Sequence, residues 1–240
     1  MLLTLASAAA MVSCGQKSAK DGDENFRYLI DQFADIKIMR YRIPGWEDLS
    51  LRQKEYIYHL REAAKYGWDI HWDQNCRYNL DVRNVLQDII EKYDGDRNCG
   101  DYADFLVYAK RVFFSNGIHH HYAEDKFTPE CSEEYFRSLM EAVGHGEECD
   151  TLLPVIYDPS ILAQRRSSDP EGDIVALSAV NFYEGVTREE VEAYYDRIID
   201  KNDPHPISYG LNTKVVKNEE GKVVELPWKV GGIYGPALEK

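Results

Sequence analysis

The run Phe114-Ser-Asn-Gly-Ile-His-His-His-Tyr122 holds the side chains with the greatest chemical potential in this 240-residue chain: adjacent imidazoles, each able to ligate a metal or move a proton. A hydrolytic zinc centre needs three ligands on rigid elements, an open position for water and a base beside it. No His-Glu-x-x-His helix supplies that set anywhere in the sequence. On an extended backbone His119 and His121 share a face and His120 points away. Further ligands could come only from scattered groups such as His145, Cys131 or Cys149, without the close paired spacing of structural zinc sites. The pattern therefore predicts a packed, hydrogen-bonded loop at His119, His120 and His121 after a helix C-cap at Asn116-Gly117, with no metal held by this chain.

The remaining chemistry-bearing groups read similarly. Glu133-Glu134 and Glu189-Glu190 fall in first helical turns, where carboxylates favour the helix dipole. Asp73, Asn75, Arg77 and Asn79 form a polar run bounded by Trp72 and Tyr78, better suited to buried hydrogen bonding between helices than to lining a cleft. No nucleophile elbow is present, and Gly231, Gly232 and Gly235 do not make a phosphate loop. Cys76, Cys99, Cys131 and Cys149 contain no Cys-x-x-Cys pair; in an exported protein they are available for disulfides, in a pairing that spacing does not define.

With 28 basic and 42 acidic side chains the formal charge is −14. Lys17 and Lys20 are the only charges among the first twenty residues, so the body is more acidic still. Such a surface repels phosphate backbones and anionic lipid headgroups, excluding nucleic acid as a partner. Hydrophobic residues at 44% supply a sizeable core. Residues 2–12 are apolar apart from Thr4 and Ser7, too short for a membrane span and matched to the h-region of a secretory signal. They lead into Met11-Val-Ser-Cys14-Gly, which resembles a bacterial lipobox. That resemblance implies cleavage before Cys14, lipidation of Cys14, and residence in the cell envelope through the lipid anchor. The alternative is a buried N-terminal helix in a cytoplasmic protein; no basic residue precedes Leu2, a departure from the signal pattern that would be expected if the true start lay further upstream.

These groups need elements to position them. Residues 15–25 read as a flexible tether. Residues 26–143 read as helical. Ser50 and Gln53 have capping-box spacing ahead of a face made by Tyr56, Leu60 and Ala64. Stripes follow at Val82, Val85, Leu86, Ile89, Ile90 and Tyr93, then at Tyr102, Phe105, Leu106, Ala109, Val112 and Phe113. A fourth runs through Tyr135, Phe136, Leu139, Met140 and Val143. All are read as core faces. Residues 144–186, with Pro154, Pro159 and Pro170, read as an irregular wrap. Within 187–240, Thr187 and Glu190 cap a helix facing inward through Val191, Tyr194, Tyr195, Ile198 and Ile199. Strands at 213–217 and 222–226 flank a turn with Gly221. Pro236 suits the first turn of a helix that five residues barely begin, so the chain is expected to stop short of a complete scaffold. The fold class is α+β, predominantly helical, with a small antiparallel hairpin near the C-terminus.

Several longer blocks carry a resemblance. They are 33–46 (Phe-Ala-Asp-Ile-Lys-Ile-Met-Arg-Tyr-Arg-Ile-Pro-Gly-Trp), Trp72-Asp-Gln-Asn75, 115–122, Asn181-Phe-Tyr-Glu-Gly-Val-Thr187 and Gly231-Gly-Ile-Tyr-Gly-Pro236. Together they resemble the N-terminal part of bacterial dipeptidyl peptidase III, nearest to lipobox-bearing members of the Bacteroides type. The resemblance implies a two-lobed zinc exopeptidase that removes dipeptides from peptide N-termini. Its metal would sit on a His-Glu-x-x-Gly-His helix and a later Glu-Glu-Cys motif. This sequence contains no His-Glu-x-x-Gly-His, so no catalytic or metal residue transfers to a position here, and the chain alone is expected to be inactive. Its partners would be a peptide substrate in the complete protein and the C-terminal part that carries the zinc. Glu147-Glu-Cys-Asp150 matches the later motif only superficially, in a region without a rigid element. The competing expectation is a non-catalytic envelope lipoprotein that binds peptides or a partner protein.

Overall fold

A computed structural model describes residues 26–205, 213–228 and 231–239. Cys14, the lipobox and the 15–25 tether lie outside them. The chain divides into two compact units, at residues 1–44 and 45–240.

In the first unit, β1 (Leu29–Phe33) pairs antiparallel with β2 (Ile36–Met39), in a register that matches Phe33 with Ile36. The expectation of helix from residue 26 fails here. Ala34 takes a left-handed φ of 46° at the turn, and β-branched Ile36 and Ile38 alternate with Lys37 and Met39, a period of two that suits a pleat.

The second unit opens with a short 3₁₀ turn at Trp46–Asp48 and then α1 (Leu51–Tyr66), whose N-cap is the predicted reciprocal box between Ser50 and Gln53. Its predicted core face is not core: α1 has no buried residue, and Tyr56 and Leu60 are 64% and 51% exposed. α2 (Trp68–Asn75) buries Trp72. α3 (Asn79–Lys92) buries Val82, Val85, Leu86 and Ile89, and α4 (Gly100–Ser115) buries Tyr102, Phe105, Tyr108, Ala109 and Val112. α5 (Glu133–Ala142) starts at Ser132, whose hydroxyl accepts from Tyr135 N, and buries Phe136, Leu139 and Met140. Phe136 sits edge-on to Phe105, Tyr108 and Tyr157, so these stripes meet in one aromatic-rich core.

The segment 144–186 is not irregular throughout. It contains α6 (Cys149–Tyr157), the four-residue helix α7 (Ile174–Leu177) and β3 (Tyr183–Glu184). Pro154 lies inside α6, forfeiting one backbone donor, but burial of Leu152, Leu153, Val155 and Ile156 holds the helix. α8 (Arg188–Asp196) has the predicted box between Thr187 and Glu190, yet only Val191 of its expected inner face is buried, and Ile198 is 43% exposed. β4 (Thr213–Lys217) pairs antiparallel with β5 (Val223–Pro227) and parallel with β3, in the order β3-β4-β5. α9 (Gly235–Glu239) follows. The predominantly helical α+β class and the antiparallel hairpin near the C-terminus are as expected. No helix among the described residues is long and apolar enough to cross a membrane.

Candidate functional site: the histidine loop

α4 ends where Asn116 turns left-handed at φ 54° and Gly117 adopts φ 151°, a conformation that glycine alone takes without strain. The chain is clamped at this point. Asn79, fully buried at the start of α3, donates from Nδ2 to Trp72 O at 3.0 Å and accepts from Ile118 N at 3.1 Å. Asn75 reaches the same corner, donating to Asn116 O at 3.2 Å. Asp73 accepts from Asn181 Nδ2 at 3.1 Å and from the Tyr234 hydroxyl. The polar run on α2 and at the start of α3 thus ties helices and loops together, as its composition indicated. Arg77 is the exception.

From Ile118 the loop doubles back. Phe127 N donates to Ile118 O at 2.8 Å and His120 N to Asp125 O at 2.7 Å, with His119 paired opposite Lys126. The reversal corrects the extended arrangement expected for the histidines. His119 is buried, while the His120 and His121 rings stack with centroids 4.8 Å apart.

Each imidazole already has structural work. His119 Nε2 donates to Leu162 O at 2.7 Å, which leaves Nδ1 a buried acceptor without a partner among the described residues. Burial drives its pKa down to about 4, against the opposing pull of the Leu162 carbonyl, so His119 is neutral at pH 7. His120 Nδ1 accepts from Tyr122 N and Ala123 N at 3.2 and 3.0 Å, capping the turn. His121 Nδ1 lies 3.3 Å from Ser115 Oγ and its ring abuts Phe114; burial lowers its pKa. Ser115 is only 4% exposed in the last turn of α4, so this pair does not present a nucleophile to a substrate.

Around the loop, charges are absorbed. Glu124, at a left-handed φ of 69°, takes a bidentate fork from Arg165 at 2.8 and 2.9 Å and a third bond from Arg166 at 2.6 Å. The Arg165 hydrogen bonds, then those of Arg166, hold its pKa down to about 2 despite partial burial. Lys126 spends its three donors on the carbonyls of Val155, Asp158 and Ile161 at the C-terminal end of α6, where the helix dipole favours a cation. Arg165 and Lys126 had no signature in the sequence, because their partners lie 29 to 90 residues away.

The Glu147–Asp150 stretch is structural as well. Glu148 bonds His145 Nδ1 at 3.2 Å, Cys149 is buried beside Met140 and His145 O, and Asp150 pairs with Arg137 at 3.0 Å. His145 Nε2 lies 3.0 Å from Asp88, so both ring nitrogens bridge α3 to the start of α6. Burial opposes its charge, but bonds to Asp88 and Glu148 outweigh that and raise its pKa. A 260 Å³ cleft beside it, lined by Asp81, Glu147, Glu148, Thr151 and Leu152, therefore has no imidazole nitrogen left to act as a base. The carboxylates Glu133, Glu134, Glu189 and Glu190 all lie in first turns, as read, and Glu190 closes its capping box. Cys76, Cys99, Cys131 and Cys149 are free thiols.

Among the described residues no three His, Cys, Asp or Glu side chains converge in a way that could hold a metal ion. The best-placed imidazole, His119, offers only a buried Nδ1. Comparison with protein-family models finds none that matches the chain, and comparison with curated proteins finds no match either.

Proposed function

We propose that this chain is the N-terminal scaffold portion of a zinc-dependent exopeptidase of the dipeptidyl peptidase III type, held at the cell envelope by lipid on Cys14. In the complete two-lobed protein the metal and its base would come from residues this sequence does not contain, and the substrate would be a peptide from whose N-terminus dipeptides are released. The observation that carries the reading is α1. It is a four-turn helix with a complete capping box, yet Leu51, Tyr56, Tyr58 and Leu60 are all at least half exposed. Capping selects the helix locally, but a helix this apolar on its surface is normally stabilised by packing against a further layer. The resemblance of the 33–46 and 181–187 blocks supplies the identity of that layer.

The test has two arms. The purified chain is assayed for release of a dipeptide from a dipeptidyl-naphthylamide with added zinc, and the DNA beyond the codon for Lys240 is read in all frames. The proposal expects no release, and a downstream His-Glu-x-x-Gly-His. Zinc-dependent release by the chain alone refutes the assignment of catalysis to other residues. Unrelated downstream sequence favours instead a non-catalytic envelope lipoprotein that binds peptides or a partner through the same exposed helix.

A further inference from the structure

The carbonyl ladder behind the histidine loop leads to a second cleft. Gln164 bridges Asp125 on one side and Ser178 on the other, and Ala179 N and Val180 N donate to Gln164 O and Arg165 O at 3.0 and 3.1 Å. Asn181 N then bonds Gln74 O at 2.9 Å, fixing residues 178–181 against α2. The surface so formed encloses a cleft of 160 Å³. Its polar lining is Arg77, Ser178, Asn181 and Tyr183, and its apolar lining includes Leu162, Val175 and Val180.

Arg77 lines the cleft with its guanidinium uncommitted among the described residues. Many cations of the unit have acceptors, among them Arg83 on Asp69, Arg137 on Asp150, Arg165 on Glu124 and Lys126 on carbonyls. Among the described residues the Arg77 guanidinium has only the Tyr78 ring, 5.0 Å away, and no hydrogen-bond acceptor. Glu184 feels its charge, but the Glu184 carboxylate is bonded to Lys214. Ser178 Oγ accepts from Ser167 N at 2.9 Å, which leaves its hydroxyl proton to donate. Asn181 uses one amide proton on Asp73 and retains the other.

We propose that this cleft binds a small monocarboxylate with a short aliphatic body. The guanidinium fork matches a planar carboxylate through two parallel hydrogen bonds, and the Ser178 hydroxyl offers a further donor. The aliphatic walls at Leu162, Val175 and Val180 accommodate an alkyl tail, and the volume limits the ligand to a few carbon atoms. The formal charge of −14 selects against multiply charged anions such as phosphate, whose approach meets more repulsion than that of a monoanion. This assignment is independent of the peptidase reading.

The experiment is a two-dimensional ¹H–¹⁵N NMR titration of the full chain at fixed ionic strength with sodium butyrate, with butyramide as its neutral counterpart, and with inorganic phosphate. Butyrate is expected to shift the Ser178 and Asn181 amides saturably, with a dissociation constant of about a millimolar for so small a ligand. Butyramide and phosphate are expected to bind at least about tenfold more weakly, and Arg77→Gln to weaken butyrate by a similar factor. Arg77 is exposed, so the variant should keep the wild-type melting midpoint; if it does not, the comparison of butyrate with butyramide on the unaltered chain decides alone. Absence of saturable shifts with butyrate overturns the proposal. So do equal binding of butyramide, tighter binding of phosphate, or undiminished binding to a folded Arg77→Gln variant.

Discussion

Asn79 occupies the space that a side chain at Gly117 would need behind the histidine loop, and replacing the two singly and together tests the clamp. Asn79→Ala removes bonds of 3.0 and 3.1 Å at a fully buried position and orphans Ile118 N, while Trp72 O keeps the bond from Cys76 N at 3.3 Å. At about 1–3 kcal/mol for the unsatisfied donor and about 0.5–1.5 kcal/mol for the second lost bond, the loss is about 1.5–4.5 kcal/mol. Gly117→Ala would place its Cβ 2.3 Å from Asn79 Nδ2 and 2.9 Å from Asn79 Cγ, with φ at 151°. Asn79 is held at both ends and does not step aside, so overpacking and backbone strain together cost about 2–4 kcal/mol. In the double variant the Cβ meets a space that Asn79 has vacated. The combined loss should then fall short of the sum by about 1–2 kcal/mol. Urea unfolding followed by far-ultraviolet circular dichroism measures each corner of the cycle. Strict additivity within about 0.5 kcal/mol, or an Asn79→Ala loss below that figure, would refute the clamp.

His119 and the thiols give further checks. His119 is neutral when folded, with its pKa lowered from 6.5 to about 4, so unfolding takes up a proton in acid. Stability is therefore fully present above pH 6.5 and declines as pH falls towards 4, by about 3 kcal/mol for this residue. Histidine NMR should show one ring titrating near pH 4, and His119→Phe should flatten the acid limb of stability; a midpoint above 6 contradicts the burial argument. Burial pushes the Cys76 thiol up to about 11 and also raises Cys131 and Cys149, whereas Cys99 is half-buried. Among these four, iodoacetamide at pH 8 with peptide mapping should modify Cys99 first and Cys76, Cys131 and Cys149 only on unfolding. Native alkylation of Cys76 as fast as Cys99 would show that the core around it opens.

Local chemistry was legible wherever the deciding partner lay within one or two turns. Ser50 with Gln53 and Thr187 with Glu190 wrote their boxes at a spacing of three, and Val82, Val85, Leu86 and Ile89 wrote a buried face at helical period. The Asn116-Gly117 stop was equally plain. Two misreadings came from weighing one local cue too heavily. Pro154 was read as a breaker, but the apolar surface of α6 outweighs one lost bond. The hairpin at β1 and β2 was masked by aromatic and apolar residues compatible with either period.

Sequence by itself determined which residues are able to be helical, capped or acidic, because those properties depend on neighbours a few positions away. It also determined that no complete zinc-peptidase motif is written in these 240 residues. Only the tertiary structure decided what becomes of each candidate. It buried His119 on Leu162 O, gave Lys126 to the end of α6, closed Glu124 on Arg165, and, among the described residues, left α1 with no buried side chain and Arg77 without an acceptor. Those outcomes rest on contacts across tens of residues, and solvation, charge and geometry at such contacts are properties of the assembled space rather than of any window of chain.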